Sequence, residues 1–130
     1  MALTVASTIK WLRKHVLHMT IREADILLDV LKVRAPTPLS GAGAVIPGDV
    51  CMFTSTGAGN ALTLANGTYP GQVTTVVHSV KGSSGTGVIT PANGDHTSVT
   101  LTAVGDAVGF IWDGSKQRLE WTSGSPTITG

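Results

Sequence analysis

Charge, aromatic rings and sulfur are all scarce in this chain. Of 130 residues, 13% are Asp, Glu, Lys or Arg, 5% are aromatic, and Cys51 stands alone. A single cysteine has no partner for an intrachain disulfide, which excludes a disulfide-stapled scaffold. No apolar run approaches the roughly 18 residues that a membrane-spanning helix needs, so no membrane partner is expected. Positive charge first appears at Lys10, and no small-residue cleavage site follows an apolar core, so no secretory signal is expected either. Hydrophobic residues nevertheless reach 42%, which excludes disorder driven by charge. Such a chain, with a formal net charge of +1, is poorly armed against association, and an oligomer is expected.

What the sequence does contain is divided near residue 35. Residues 1–40 hold six basic side chains against three acids, whereas 41–130 hold three against five. Between the halves, Arg34-Ala-Pro-Thr-Pro-Leu-Ser-Gly-Ala-Gly-Ala44 is a stretch that neither a helix nor a central strand tolerates. We therefore divide the chain into an N-terminal helical or arm segment, 1–34, for anchoring or for trimerisation through a helical seam, a linker or fixed elbow, 35–44, and an all-β domain, 45–130. In the first part Val5, Ile9, Leu12, Val16 and Met19 follow a 4-3-4-3 spacing, a heptad seam that predicts helix. Thr20 and Glu23 match a capping box where a second helix would start. Leu3–Val5 and Ile26–Val33 are also compatible with extended structure, so an arm is the competing reading.

The domain reads as all-β. Runs rich in Val, Ile, Thr and Leu recur at 50–55, 61–65, 72–80, 86–90, 97–102, 107–112 and 117–122, separated by Gly, Asn and Asp turn signals. This spacing predicts an antiparallel β-sandwich, barrel or β-prism of short strands. Leu62-Thr-Leu-Ala-Asn-Gly67 is echoed by Ile89-Thr-Pro-Ala-Asn-Gly94, 27 residues on, but two copies fall short of a repeat architecture. The clearest unit is a hairpin, Ala107 to Thr122. A four-residue loop, 113–116, sets Phe110 opposite Leu119, Val108 opposite Trp121 and Trp112 beside Gln117. On that register Val108, Phe110, Trp112, Leu119 and Trp121 share one face, a candidate core or subunit interface.

Catalytic chemistry needs a nucleophile or base within reach of an orienting group, and the sequence offers no such constellation. Asp95-His96 lies beside an Asn-Gly turn. His78 shares a strand face with Val76 and Val80 and reads as a packed histidine. His15 and His18 have a helical metal-binding spacing with no supporting motif, so no metal is expected. Cys51, in Val50-Cys-Met-Phe53, reads as a small buried hydrophobe. Lys81-Gly-Ser-Ser-Gly-Thr-Gly87 lacks the ending of a phosphate-binding loop and is followed by strand, so it reads as a flexible hairpin loop and no cofactor is expected. Asn66-Gly67-Thr68 is a formal glycosylation sequon, explained by its turn chemistry. Lys10-Trp-Leu-Arg-Lys-His15 sets cations around an apolar ring. It is either a solvated helix face or a docking element for an acidic protein surface, with Trp11, Arg13 and Lys14 as candidate anchors. So few cations leave a weak phosphate footprint, and nucleic acid is not the expected partner.

Tyr69-Pro-Gly-Gln-Val73, Leu101-Thr-Ala-Val-Gly-Asp-Ala-Val-Gly-Phe-Ile-Trp112 and Asp113-Gly-Ser-Lys-Gln-Arg-Leu-Glu-Trp121 resemble capsid decoration (cement) proteins and head fibres of tailed bacteriophages. In such chains a Pro-Gly-Gln strand precedes a Gly-Asp-x-Val strand ending in Trp, and a second Trp follows a polar turn. The resemblance covers residues 69–121. It implies a homotrimer on the outer capsid surface of the virion, made in the host cytoplasm and bound to the major capsid protein where its subunits meet. It implies no enzyme activity and no cofactor. The alternative is a receptor- or glycan-binding module of a tail fibre or lectin-like protein.

Overall fold

The computed structural model describes residues 36–130, which lie within one compact unit, Ala35–Gly130. The helix or arm expected over 1–34, its heptads, His15 and His18, and the candidate anchors Trp11, Arg13 and Lys14 lie outside the described residues. Ten strands follow in order: β1 (Thr37–Ser40), β2 (Gly43–Val45), β3 (Val50–Ser55), β4 (Asn60–Leu64), β5 (Val73–Lys81), β6 (Gly87–Pro91), β7 (Ser98–Leu101), β8 (Ala107–Trp112), β9 (Gln117–Ser123) and β10 (Thr127–Thr129). They form two five-stranded sheets, β1-β3-β5-β8-β9 and β10-β7-β6-β4-β2.

Strands β1 to β7 alternate because one face meets the other sheet. In β3 Cys51, Phe53 and Ser55 are buried, in β4 Leu62 and Leu64, and in β5 Thr74, Val76 and His78. The apolar ones among them, with Val45, Ile89, Val99, Leu101, Val108 and Phe110, make one core drawn from both sheets; Leu39 and Leu119 pack at its margin. The fold is therefore a sandwich. Both sheets have free edges, so it is not a closed barrel.

The expected antiparallel pairing is half right. β1, β3 and β5 run parallel in one sheet, and β2, β4 and β6 run parallel in the other. The chain winds through three rungs, each placing one strand in each sheet. Only then do β7, β8, β9 and β10 add antiparallel partners. The 27-residue echo marks two successive rungs: Leu62 pairs with Ile89 and Thr63 with Thr90, and the Asn93 amide donates to Asn66 Oδ1 at 2.9 Å. A flat, uniform spacing of short strands is the same for hairpins and for such crossings between sheets, which is why parallel pairing escaped the sequence. Lys81–Gly87 is accordingly no hairpin loop. It arches between the sheets, held by Gly82 N–H to Ser55 O at 2.9 Å and Gly85 N–H to Gly82 O at 2.8 Å.

The expected linker, 35–44, supplies β1 and β2, so the sandwich begins at Thr37 rather than at residue 45. Both are edge strands. Pro38, which has no N–H to give, is tolerated where one side of the ladder is open. Only Gly41 and Ala42, between the two strands, remain an elbow from sheet to sheet.

Candidate interaction surface

The motifs that carry the family resemblance turn out to hold the scaffold. Pro70-Gly71 forms a tight turn closed by Gln72 N–H to Tyr69 O at 3.2 Å; Gly71 takes φ +90°, a conformation that disfavours a side chain. The buried Gln72 amide then accepts from Thr68 N–H at 2.8 Å and donates to Pro47 O at 3.4 Å. Asp106, of Gly-Asp-Ala-Val, is almost wholly buried. Its Oδ2 accepts from the N–H groups of Thr102 and Ala103, each at 2.9 Å, and its Oδ1 from Ser125 N–H at 2.9 Å. Burial pushes this carboxyl's pKa up, but the Ser125, Ala103 and Thr102 bonds outweigh it and hold the pKa below the usual carboxylate range. Asp113 caps the β8–β9 turn by accepting from Lys116 N–H at 2.7 Å and Ser115 N–H at 2.8 Å, and it pairs with Arg118 Nε at 2.6 Å. The Lys116 amide and Arg118 hold its carboxyl far below the ordinary range.

Asp95, His96 and His78, noted in the sequence, have structural partners. Asp95 Oδ1 accepts from Leu119 N–H at 3.1 Å and meets His96 Nδ1 at 2.8 Å, fastening the β6–β7 loop to β9. His78 and Ser55 are fully buried, with Nε2 and Oγ 2.9 Å apart and the imidazole 5.2 Å from the Phe53 ring. No solvent-borne substrate reaches that pair. Val80, expected on the His78 face, is exposed instead, because the register shifts between Phe53 and Thr54. Cys51 is buried, and burial followed by the nearby Asp49 carboxylate pushes its thiol pKa up. A shallow depression of about 520 Å³ along the ends of β4 and β6 is lined by Thr63, Leu64, Ala65, Thr90, Pro91 and Ala92, none of them titratable. Among the described residues no cluster of three or more His, Cys, Asp or Glu could hold a metal.

The hairpin register holds at its turn: Trp112 pairs with Gln117 and Phe110 with Leu119. It then shifts between Gly109 and Phe110, so that Trp121 lies opposite Gly109 and Val108 opposite Thr122. This overturns the expected Val108–Trp121 pair. A bulge inserts one residue, and one residue reverses the side-chain parity of everything beyond it. Val108 and Phe110 are fully buried in the core, Leu119 borders it, and Trp112, 7% exposed, packs its indole on Gly67. Trp121 leaves that face and is 40% exposed; a Cβ at Gly109 would fall on its indole ring.

The surface on which Trp121 lands is the outer face of the β1-β3-β5-β8-β9 sheet, and single-residue reasoning missed it. Cross-strand register sets Val50, Thr75, Gly109 and Trp121 in one row and Met52, Val77 and Ala107 in the next, with Val73 beside Ile111. Val50 is 39% exposed and Val73 42%, while Met52, Val77 and Ile111 are half-buried. From Val50 to Thr54, Val73 to Val80 and Ala107 to Ile111, no outward position carries a charge. One signal was available: Val76-Val77 and Phe110-Ile111-Trp112 are apolar at both parities, as in strands covered on both faces. The opposite sheet differs. Its outward positions are mostly small or hydroxylic, with Ala61, Thr63, Thr90 and Thr100 beside a single valine, Val88, in β4, β6 and β7. Compared with known families and curated proteins, the sequence matches no family model and no curated protein.

Proposed function

We propose that this chain is a structural virion protein, a capsid decoration (cement) protein that binds the outer surface of a tailed-phage head as a homotrimer and stabilises the shell. The observation that carries the reading is the uncharged apolar outer face of the β3-β5-β8 sheet, a surface suited to protein association rather than to solvent. The turn-forming Tyr69-Pro-Gly-Gln72, Gly105-Asp106 and Trp112-Asp-Gly114 motifs support the phage assignment through their resemblance to such proteins. A cement protein acts by adding contacts across neighbouring capsid subunits, so that outward pressure from packaged DNA must break more surface. That role calls for a rigid body, and the cross-tied loops around Gln72, Asp106 and Gln117 supply rigidity. The basic 10–15 segment, with Trp11, Arg13 and Lys14, is the anchor in this reading.

The test is to incubate purified protein with expanded shells that lack it. Saturable binding at a fixed ratio to capsid subunits, with raised heat resistance of the shells, is expected. Shells that take up no protein and gain no heat resistance would sink the proposal. The double substitution Arg13→Ala, Lys14→Ala is expected to leave the fold intact and to weaken shell binding; unchanged occupancy would remove the anchor assignment.

A further inference from the structure

We infer that the outer face of the β1-β3-β5-β8-β9 sheet is the contact between copies of this chain, with Trp121 at its rim. The inference rests on the structural-protein reading for its threefold stoichiometry; the contact itself follows from charge, register and exposure.

Charge complementarity selects the occupant. Arg118, the β9 partner of Ile111, borders the Val73–Ile111 pair, and it is already engaged by Asp113. A basic or acidic partner would find no counter-charge on the central strands and would lose hydration of its own ions without compensation. A second copy of the same neutral face brings no such penalty, and it is present at equal concentration wherever the protein is made. A symmetric assembly needs only surfaces the chain itself carries.

The β9 bulge points to the same use. Without the shift at Gly109/Phe110, Trp121 would follow Leu119 toward the core side of the sheet. With it, a large indole is placed on the outside, laid over a position that has no side chain. Gly109 leaves a hollow in the row Val50–Thr75–Gly109–Trp121, and the ring fills it, making the face continuous from β3 to β9. Aromatic residues in this setting are the usual anchors of protein interfaces.

Sedimentation and light scattering of the purified full chain test the inference without any shell. A concentration-dependent species near 40 kDa, about three copies of a 13.4 kDa chain, is expected. The double variant Val73→Glu, Trp121→Glu changes two exposed positions, so the far-ultraviolet spectrum should persist while self-association weakens on the order of 100-fold or more. Thr63→Glu, on the outer face of the other sheet, should leave association unchanged. Should the double variant fail to fold, oxidative footprinting of the wild type gives the answer independently. Met52 and Trp121 are expected to react several-fold faster once dilution dissociates the assembly. A wild type that is monomeric at every concentration overturns the inference, as does a double variant that assembles normally. Shells that take up no protein although the trimer and its footprint are intact would sink the cement reading and leave this contact standing.

Discussion

At the scale of single residues, the fold depends on a few buried polar groups that no hydrophobic pattern reports. Asp106 is the clearest. Its two oxygens satisfy four donors from the 102–103 turn and from Ser125, so it ties the entry of β8 to the chain leaving β9. In Asp106→Asn, one side-chain oxygen can still serve Thr102 and Ala103, but the amide nitrogen then faces Ser125 N–H, donor against donor. The cost should be about 1–3 kcal/mol at neutral pH, read from urea unfolding. Because the folded carboxyl's pKa is lowered, its contribution is fully present above the unfolded value of about 3.9 and is lost as pH falls through the folded value. The gap between wild type and Asp106→Asn should therefore shrink in acid, and a gap constant from pH 6 to pH 2 would remove the carboxylate from the account. Two glycines make a second comparison. A Cβ at Gly67 would strike the buried ring of Trp112, and one at Gly109 the exposed ring of Trp121. The buried indole has nowhere to go, so Gly67→Ala should cost about 1–3 kcal/mol. The outer ring can swing into solvent, so in the dissociated chain Gly109→Ala should cost clearly less.

At the scale of elements, strands were legible and their partners were not. All seven expected runs coincide with strands to within a residue or two, because period-two alternation and Gly/Asn punctuation are local properties. The three missed strands, β1, β2 and β10, are short edge strands of three or four residues whose place is fixed by a neighbour rather than by their own pattern. The turn of the β8–β9 hairpin was legible from Asp113-Gly-Ser-Lys116, yet its bulge was not, since nothing in Leu119-Glu-Trp121 announces an extra residue. The candidate face was consequently split: Val108, Phe110 and Trp112 went inward as one set, and Trp121 joined Val73 and Met52, which sequence reasoning had not singled out. The two hairpin tryptophans measure this directly. Trp112→Ala removes a buried ring and should cost about 3–5 kcal/mol. Trp121→Ala, in the dissociated chain, should cost clearly less, because 40% of the residue is already exposed to water. Equal losses would restore the unbulged register.

At the scale of the whole molecule, charge is segregated along the sequence, and that segregation separates two contacts that a single binding experiment would merge. The outer face of the first sheet is neutral over 50–54, 73–80 and 107–111, whereas the cations proposed for shell docking, Arg13 and Lys14, lie in the basic N-terminal part of the sequence. Apolar association is insensitive to screening and strengthens in salts excluded from protein surfaces. A contact made by exposed cations weakens as the Debye length falls from about 10 Å at 0.1 M salt to about 3 Å at 1 M. Raising sodium chloride from 0.1 to 1 M should therefore leave the self-association constant unchanged or modestly increased, while shell occupancy at a fixed subsaturating concentration falls. The pH response should divide in the same way. From Val50 to Thr54, Val73 to Val80 and Ala107 to Ile111 no outward position carries a titratable group, so between pH 5 and 9 the assembly should hold its mass on a sizing column with in-line light scattering. If high salt instead dissociated the protein in the absence of shells, ion pairs would be holding the copies together. The neutral face would then have to yield its place to charged groups around it, such as the Asp113–Arg118 pair at the start of β9.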